Sequence, residues 1–215
     1  MARVTMTDPA ALDSFIAKWR ARWPEWTVAE TFVSVSQREI AAAWFALLQE
    51  LTDAAWGGED PTPGIAKLAW WQEELRGWSR GLRRHPLGIA LQRQAAPWPT
   101  LEAALPALRT SRAPPADAKS ALAGLRAFAA AAGAVEQSLF SSSDGADAIA
   151  ACLLAGHPHW PAETGHREDL IARWPPVQGS RPRRIAAALA RARLRKGAPL
   201  PLWRALWLAW RAARH

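Results

Sequence analysis

Apolar residues recur along this chain at intervals of three and four, the period of an α-helix with one face turned inward. The clearest run lies between Ser36 and Trp56, where Ile40, Trp44, Leu47, Leu48 and Leu51 share a face before Gly57-Gly58 stops the helix. A second stripe, Ile65, Leu68, Trp71, Leu75 and Trp78, follows the turn cluster Pro61-Thr62-Pro63-Gly64 and ends near Gly81. An earlier helix is predicted from Asp8-Pro9, an N-cap with proline at the first helical position, through Leu12, Phe15, Ile16 and Trp19 to Trp23-Pro24. Pro86 is read as starting another helix, Pro97 and Pro99 as breaking the chain, and Pro106 as lying in a short or bent segment. Beyond Ala113-Pro114-Pro115 a long Ala-rich helix carries Leu122, Leu125, Phe128 and Leu139 and gives way to the loop Ser141-Ser142-Ser143-Asp144-Gly145. Helices from about Ala146 to Leu154, Arg181 to Lys196 and Leu200 to Ala213 complete the set, and His157-Pro158-His159-Trp160-Pro161 is a connector.

Composition agrees with this pattern. Ala and Arg are abundant, Tyr is absent and β-branched runs are scarce, so propensity points to helix nearly throughout. With 215 residues, half of them hydrophobic, and no repeat at a solenoid period, the expected fold is all-α: a single-domain multi-helix bundle spanning 1–215, with a basic helical region at 181–214. Cys152 is the only cysteine, which excludes an internal disulfide and a cysteine-rich zinc site and fits a reducing compartment. The first residues carry Asp8 and Asp13 and no apolar h-region, and no window of about 18 residues is apolar enough to span a bilayer. A cytoplasmic protein without an export signal is expected, with contact at a membrane periphery left open.

Charge changes the picture at the C-terminal end. The formal net charge is +8, and after Asp169 there is no acidic residue at all. Arg184, Arg191, Arg195, Arg204 and Arg211 are therefore candidates for meeting an anionic partner, whether a diphosphate, an acidic lipid surface or an acidic protein. A solvated helix face is the plainer alternative. No helix-turn-helix, zinc finger or single-strand aromatic platform accompanies them, so no specific nucleic acid is expected. Of the 14 tryptophans, Trp203, Trp207 and Trp210 fall on one face of the last helix; core packing is the first explanation and an interface with a membrane surface the second.

Few residue groups suggest chemistry. Glu50 and Asp53 stand three apart on a helix and qualify as weak candidates for one divalent ion, although a solvated helix edge has the same pattern. Glu73-Glu74 follow a Trp pair and are expected to face a pocket or to pair with Lys67, Arg76 or solvent. His157 and His159, with Cys152 and His166 nearby, lack the second close pair that would complete four zinc ligands. No Gly-x-Ser-x-Gly elbow, phosphate-cradling loop or Ser/His/Asp set occurs.

Three segments taken together carry a resemblance. Arg38 near the start of a helix continuing through Ala46-Leu47-Leu48-Gln49-Glu50-Leu51, then Lys67-Leu68-Ala69-Trp70-Trp71, then His85-Pro86, match in type, order and approximate spacing the front half of the squalene/phytoene synthase family. Residues 30 to 92 of this chain resemble that family, and similarity continues weakly through Ala130-Ala131-Ala132-Gly133-Ala134-Val135-Glu136. The resemblance implies a shortened isoprenoid synthase fold. It also implies two Asp-x-x-x-Asp motifs on facing helices, because joining prenyl diphosphates needs magnesium to neutralise the leaving group. Here the first falls between Glu50 and Ala54 and retains only Glu50 and Asp53; the second falls around 150 to 160, where no Asp or Glu occurs between Asp147 and Glu163.

The resemblance therefore implies a divergent member, without magnesium-dependent condensation and with no cofactor, that binds an isoprenoid or lipid or serves as a scaffold or assembly factor. Arg38, Trp44, Glu50, Asp53, Lys67, Trp71 and Glu74 are its candidate pocket residues. Two alternatives stand beside it. One is an active prenyltransferase, with Mg²⁺ on Glu50 and Asp53 and phosphate charge on Arg38 and Lys67; the other is an adaptor for a membrane surface or an acidic protein. A retained pocket requires an apolar cavity between the helices carrying Trp44 to Glu50 and Ala121 to Val135. A filled centre there leaves the scaffold role.

Overall fold

The computed structural model describes residues 9–113, 115–160 and 165–214, and all regular structure in them is helical. In chain order the α-helices are α1 (Pro9–Arg22), α2 (Trp26–Ala29), α3 (Val35–Trp56), α4 (Thr62–Trp78), α5 (Gly88–Leu91), α6 (Trp98–Thr110), α7 (Ala118–Phe140), α8 (Ala146–Ala155), α9 (His166–Ala172), α10 (Arg181–Lys196) and α11 (Leu202–Ala213). A 3-10 turn, Glu30–Phe32, follows α2. The stripes read from the sequence are the buried faces except at their first residues: Trp44, Leu47 and Leu51 of α3 and Trp71 and Leu75 of α4 are all fully enclosed, while Ile40 is half-buried and Ile65 is exposed. The expected start at Asp8 lies outside the described residues.

Proline departs from its expected role in three places. Pro97 and Pro99 do not break the chain but open α6, where the missing N–H falls among donors that no helix start can satisfy internally. Pro106 sits within α6, on its exposed side, opposite the buried Leu105 and Leu108, so water can serve the carbonyl that it leaves unpaired. Pro86 lies in a turn in which the Leu87 N–H donates to His85 Nδ1 at 3.2 Å, and α5 begins only at Gly88. The short helices α2 and α9 have no clear stripe of their own.

Neighbouring helices close a ring: α1 packs on α3, α3 on α4, α4 on α6, α6 on α7, α7 on α8, α8 on α10, α10 on α11, and α11 returns to α2. Side-chain caps fix the starts of α7 and α10. Asp117 accepts from the Ser120 N–H at 2.7 Å to start α7, and Ser180 accepts from the Arg183 N–H at 3.1 Å to start α10. Across the ring, Trp44 of α3 donates its indole N–H to Glu136 of α7 at 2.6 Å, and Glu136 in turn receives Arg183 of α10 through Nε at 3.0 Å and through Nη2. Arg183 and Glu136 are each only 2% exposed. Trp44 also packs against Trp98 and both rings are buried, so side chains fill the α3–α7 junction at Glu136, while a pocket of about 160 Å³ lies further along, between Trp56 of α3 and Ser120, Ala121 and Leu125 of α7.

Candidate functional site

The polar residues singled out in the sequence are structural supports. Glu50 accepts from Lys67 at 2.6 Å and Lys18 at 3.2 Å; burial works to raise its pKa, and the two lysines outweigh it and hold the carboxylate below its ordinary value. Asp53 pairs with Arg22 at 2.5 Å and accepts from Gln49 at 2.8 Å. Both acids border α1, beside Phe15 and Lys18, and both are already neutralised by cations. This donor set does not fit a magnesium ion, which needs oxygen ligands free of competing ammonium and guanidinium groups. Among the described residues, no three His, Cys, Asp or Glu side chains converge as a metal site.

Arg38 does not face a pocket: its guanidinium donates to the backbone carbonyls of Val33 at 3.1 Å and Thr31 at 3.2 Å and so ties α3 to the turn before it. Trp71 is wholly buried, its ring 4.6 Å from that of His85. Glu74 is paired, but with neither Lys67 nor Arg76. It accepts from Trp78 Nε1 and the His85 N–H, both at 2.8 Å, from the Arg84 N–H at 2.7 Å and from Arg84 Nε at 3.1 Å. The Trp-Trp run and the His-Pro thus belong to one aromatic and hydrogen-bonded support, with Arg84 over the Trp70 ring at 5.2 Å.

The cavity expected between the helices carrying Trp44 to Glu50 and Ala121 to Val135 is not what the fold offers, so a ligand site, if the chain has one, is a different one: free space lies on another face of α3, against α8 and α10. A narrow slot of about 80 Å³ is walled by Phe45, Leu48, Gln49, Thr52 and Trp56 of α3, Cys152, Leu153 and Gly156 at α8, and Arg183, Ala186, Leu189 and Ala190 of α10, with Trp19, Trp23 and Trp26 closing the side. Trp23, Gln49, Gly156 and Ala190 are walls that it shares with an adjoining basin of about 370 Å³. Among the described residues, Arg22, Arg167 and Arg193 line the basin and no carboxylate does. Arg193 lies over the Trp23 ring at 4.3 Å and donates to the Arg22 carbonyl at 2.8 Å; burial lowers its pKa, and the buried Glu25 at 3.5 Å opposes that shift. Arg167 has no carboxylate partner among the described residues, and it lies against Gly197 at the end of α10.

His157 contributes a second polar feature to the basin. Its Nδ1 accepts from the N–H groups of His159 at 3.3 Å and Trp160 at 3.1 Å, which leaves the proton of the neutral ring on Nε2. That Nε2 is buried without a partner among the described residues, in a residue only 7% exposed. Burial, with His159 and Arg112 close by, pushes the His157 pKa down to about 4, so the ring is neutral near pH 7. Cys152, the lone thiol, faces the slot, and burial raises its pKa, which keeps it protonated and a weak nucleophile.

The slot therefore lies between α3 and α8, the helices on which the resemblance places the two acidic motifs. Its walls present Gln49 and Thr52 on one side and Cys152 and Gly156 on the other, while Glu50 and Asp53 turn away. Sequence reading did not bring Arg167, Arg193 and Gly156 together. The only trace was the absence of acid between Asp147 and Glu163 and after Asp169. Among the described residues, no helix is long and apolar enough to cross a membrane. Compared with known proteins, the chain matches no family model, no curated protein and no solved structure.

Proposed function

We propose that the protein is a divergent squalene/phytoene synthase-like binding protein. It holds a phosphorylated isoprenoid, or a lipid of the same head-and-tail chemistry, without magnesium-dependent condensation. The observation that carries this reading is the shared wall at Gly156, where an aromatic slot adjoins a basin lined by Arg22, Arg167 and Arg193; Arg22 is paired with Asp53 and Arg193 stands near Glu25, so Arg167 is the one of the three without a carboxylate partner among the described residues. Guanidinium groups suit phosphate because their N–H donors form forked, charge-assisted hydrogen bonds. At about 80 Å³ the slot is about half of the roughly 150 Å³ dry cavity that accepts benzene, so the branched end of even a single chain would have to push its walls apart to enter. Condensation needs two prenyl chains side by side, and these walls leave no room for the second.

Titration calorimetry with farnesyl diphosphate, dimethylallyl diphosphate, inorganic diphosphate and farnesol, all with chelator present, tests the proposal. Both prenyl diphosphates are expected to saturate the protein, and farnesol is expected to bind at least tenfold more weakly. Arg167→Ala with Arg193→Ala should weaken the diphosphates by a factor on the order of ten or more, consistent with loss of charge-assisted bonds. Gly156→Leu should weaken the prenyl compounds and spare inorganic diphosphate, because backbone φ −90° at Gly156 tolerates a side chain that then plugs the slot. Absence of saturable binding would leave only a scaffold role. Magnesium-dependent formation of a condensed product would restore the prenyltransferase alternative.

A further inference from the structure

The last helix contradicts the core explanation for its tryptophans. Ala205, Ala209 and Ala212 form the buried side of α11, and the opposite side exposes Leu202 (49%), Trp203 (73%), Leu206 (43%), Trp207 (49%) and Trp210 (42%). Small residues inside and large apolar residues outside are the reverse of a core helix. At about 3.6 residues per turn, Trp203, Trp207 and Trp210 lie along one outer ridge. Arg211 lies over the Trp207 ring at 4.8 Å and Arg214 over the Trp210 ring at 4.7 Å.

Arg204 and Arg211 leave this ridge on one flank and enter a groove of about 290 Å³ between α10, α11 and the Trp174 to Gln178 segment. Arg184, Arg191 and Arg195 of α10 line the same groove, so all five arginines singled out by charge alone converge there. Arg184 is partly occupied, donating to the Ala212 carbonyl at 3.2 Å and the Gly179 carbonyl at 2.8 Å. The other four have no carboxylate partner among the described residues, and Arg191 Nε is buried with no hydrogen bond. Crowded cations without counter-charges repel one another and favour any partner that supplies negative charge.

We infer that α11 and the arginine groove together form a docking surface for an anionic lipid bilayer, with Trp203, Trp207 and Trp210 entering the headgroup layer and the arginines meeting lipid phosphates. Indole rings suit this layer because they are apolar with one polar edge, and arginines beside them supply the second attraction that a short amphipathic helix needs. A second copy of the chain is a poorer occupant, since a two-fold contact would set one arginine groove beside another. A rigid protein partner would need a trough to receive a convex ridge of three large rings, whereas a fluid headgroup layer adapts to it.

Co-sedimentation of the full chain with vesicles tests this. The protein is expected to bind phosphatidylcholine vesicles containing roughly a third phosphatidylglycerol, to ignore pure phosphatidylcholine, and to dissociate as salt rises from about 0.05 to 0.5 M. Trp203→Ser, Trp207→Ser and Trp210→Ser together, and separately Arg191→Glu with Arg195→Glu, should each reduce the bound fraction at least tenfold. All of these side chains lie on the surface or at the groove, and unchanged circular dichroism verifies that each variant folds. Both variants should keep their affinity for diphosphate at the basin, so loss of docking and failure of the ligand site are read separately. Equal binding of the two vesicle types, binding unchanged in the variants, or a self-association abolished by the Trp substitutions would each overturn the inference.

Discussion

Glu136 is the residue on which the middle of the molecule depends. It joins α3 through Trp44 and α10 through Arg183, and Arg183 also stacks on Phe45 at 4.9 Å, so one carboxylate sets the distance between three helices. Glu136→Gln keeps the shape but leaves the guanidinium charge buried without its partner. The expected cost is about 3–5 kcal/mol, measured as a lower urea midpoint with an unchanged slope. Replacing both members, Glu136→Leu with Arg183→Met, should cost less than the two single changes added together, a coupling that a double-mutant cycle would read. The same scale explains why charged residues were poor guides to the site. Glu50, Asp53 and Glu74 are conspicuous as acids in an Arg-rich chain, but each is conspicuous because an internal cation or backbone donor requires it.

Among elements, the α3–α4 hairpin shows what periodicity reveals and what it leaves out. The stripe from Ile40 to Leu51 located α3 within a residue, and the stripe from Ile65 to Trp78 located α4 within about three residues at each end, because burying large apolar side chains has no other efficient arrangement here; Ile65 itself is exposed, and Thr62 to Gly64, read as a turn, are the first turn of α4. How closely the helices approach is set by Gly64, where a Cβ would stand 2.2 Å from the Ala54 carbonyl oxygen. Sequence alone assigns that glycine to a turn, since its neighbour is on another helix. Gly64→Ala should therefore destabilise by about 1–3 kcal/mol despite its better helix propensity, and a thermal midpoint equal to or above that of the parent chain would refute the close approach. For α11 the period was legible but its meaning was not: a stripe of Trp and Leu announces that a face exists, and only its neighbours decide whether that face is inward. The slot was illegible for a related reason, since Gln49, Gly156, Arg167 and Arg193 are distant in sequence and ordinary in type.

At the level of the whole molecule, acid is the condition that should expose its weakness. His85 is pushed down to about 4 chiefly by burial, against the pull of Glu50 and Glu74, and His157 falls to about 4 for the same main reason. The unfolded chain binds protons on both near pH 6.5 while the folded chain refuses them. Folded stability is then complete above that pH and is lost as the pH falls from about 6.5 toward 4, by up to about 3 kcal/mol for each histidine. Urea midpoints measured across this window should fall steadily, and His85→Gln should flatten part of the decline. A midpoint that held constant from pH 7 to 4.5 would contradict the buried, neutral state of both rings.

Helix α10 is the common wall of the two open sites. Arg183, Ala186, Leu189, Ala190 and Arg193 face the slot and basin, and Arg184, Arg191 and Arg195 face the groove beside α11. An α-helix with its side chains is about 10–12 Å thick. A partition of that width would put the interior site within one headgroup layer of a docked bilayer, so a lipid moving between the two would travel across a single helix rather than through the protein.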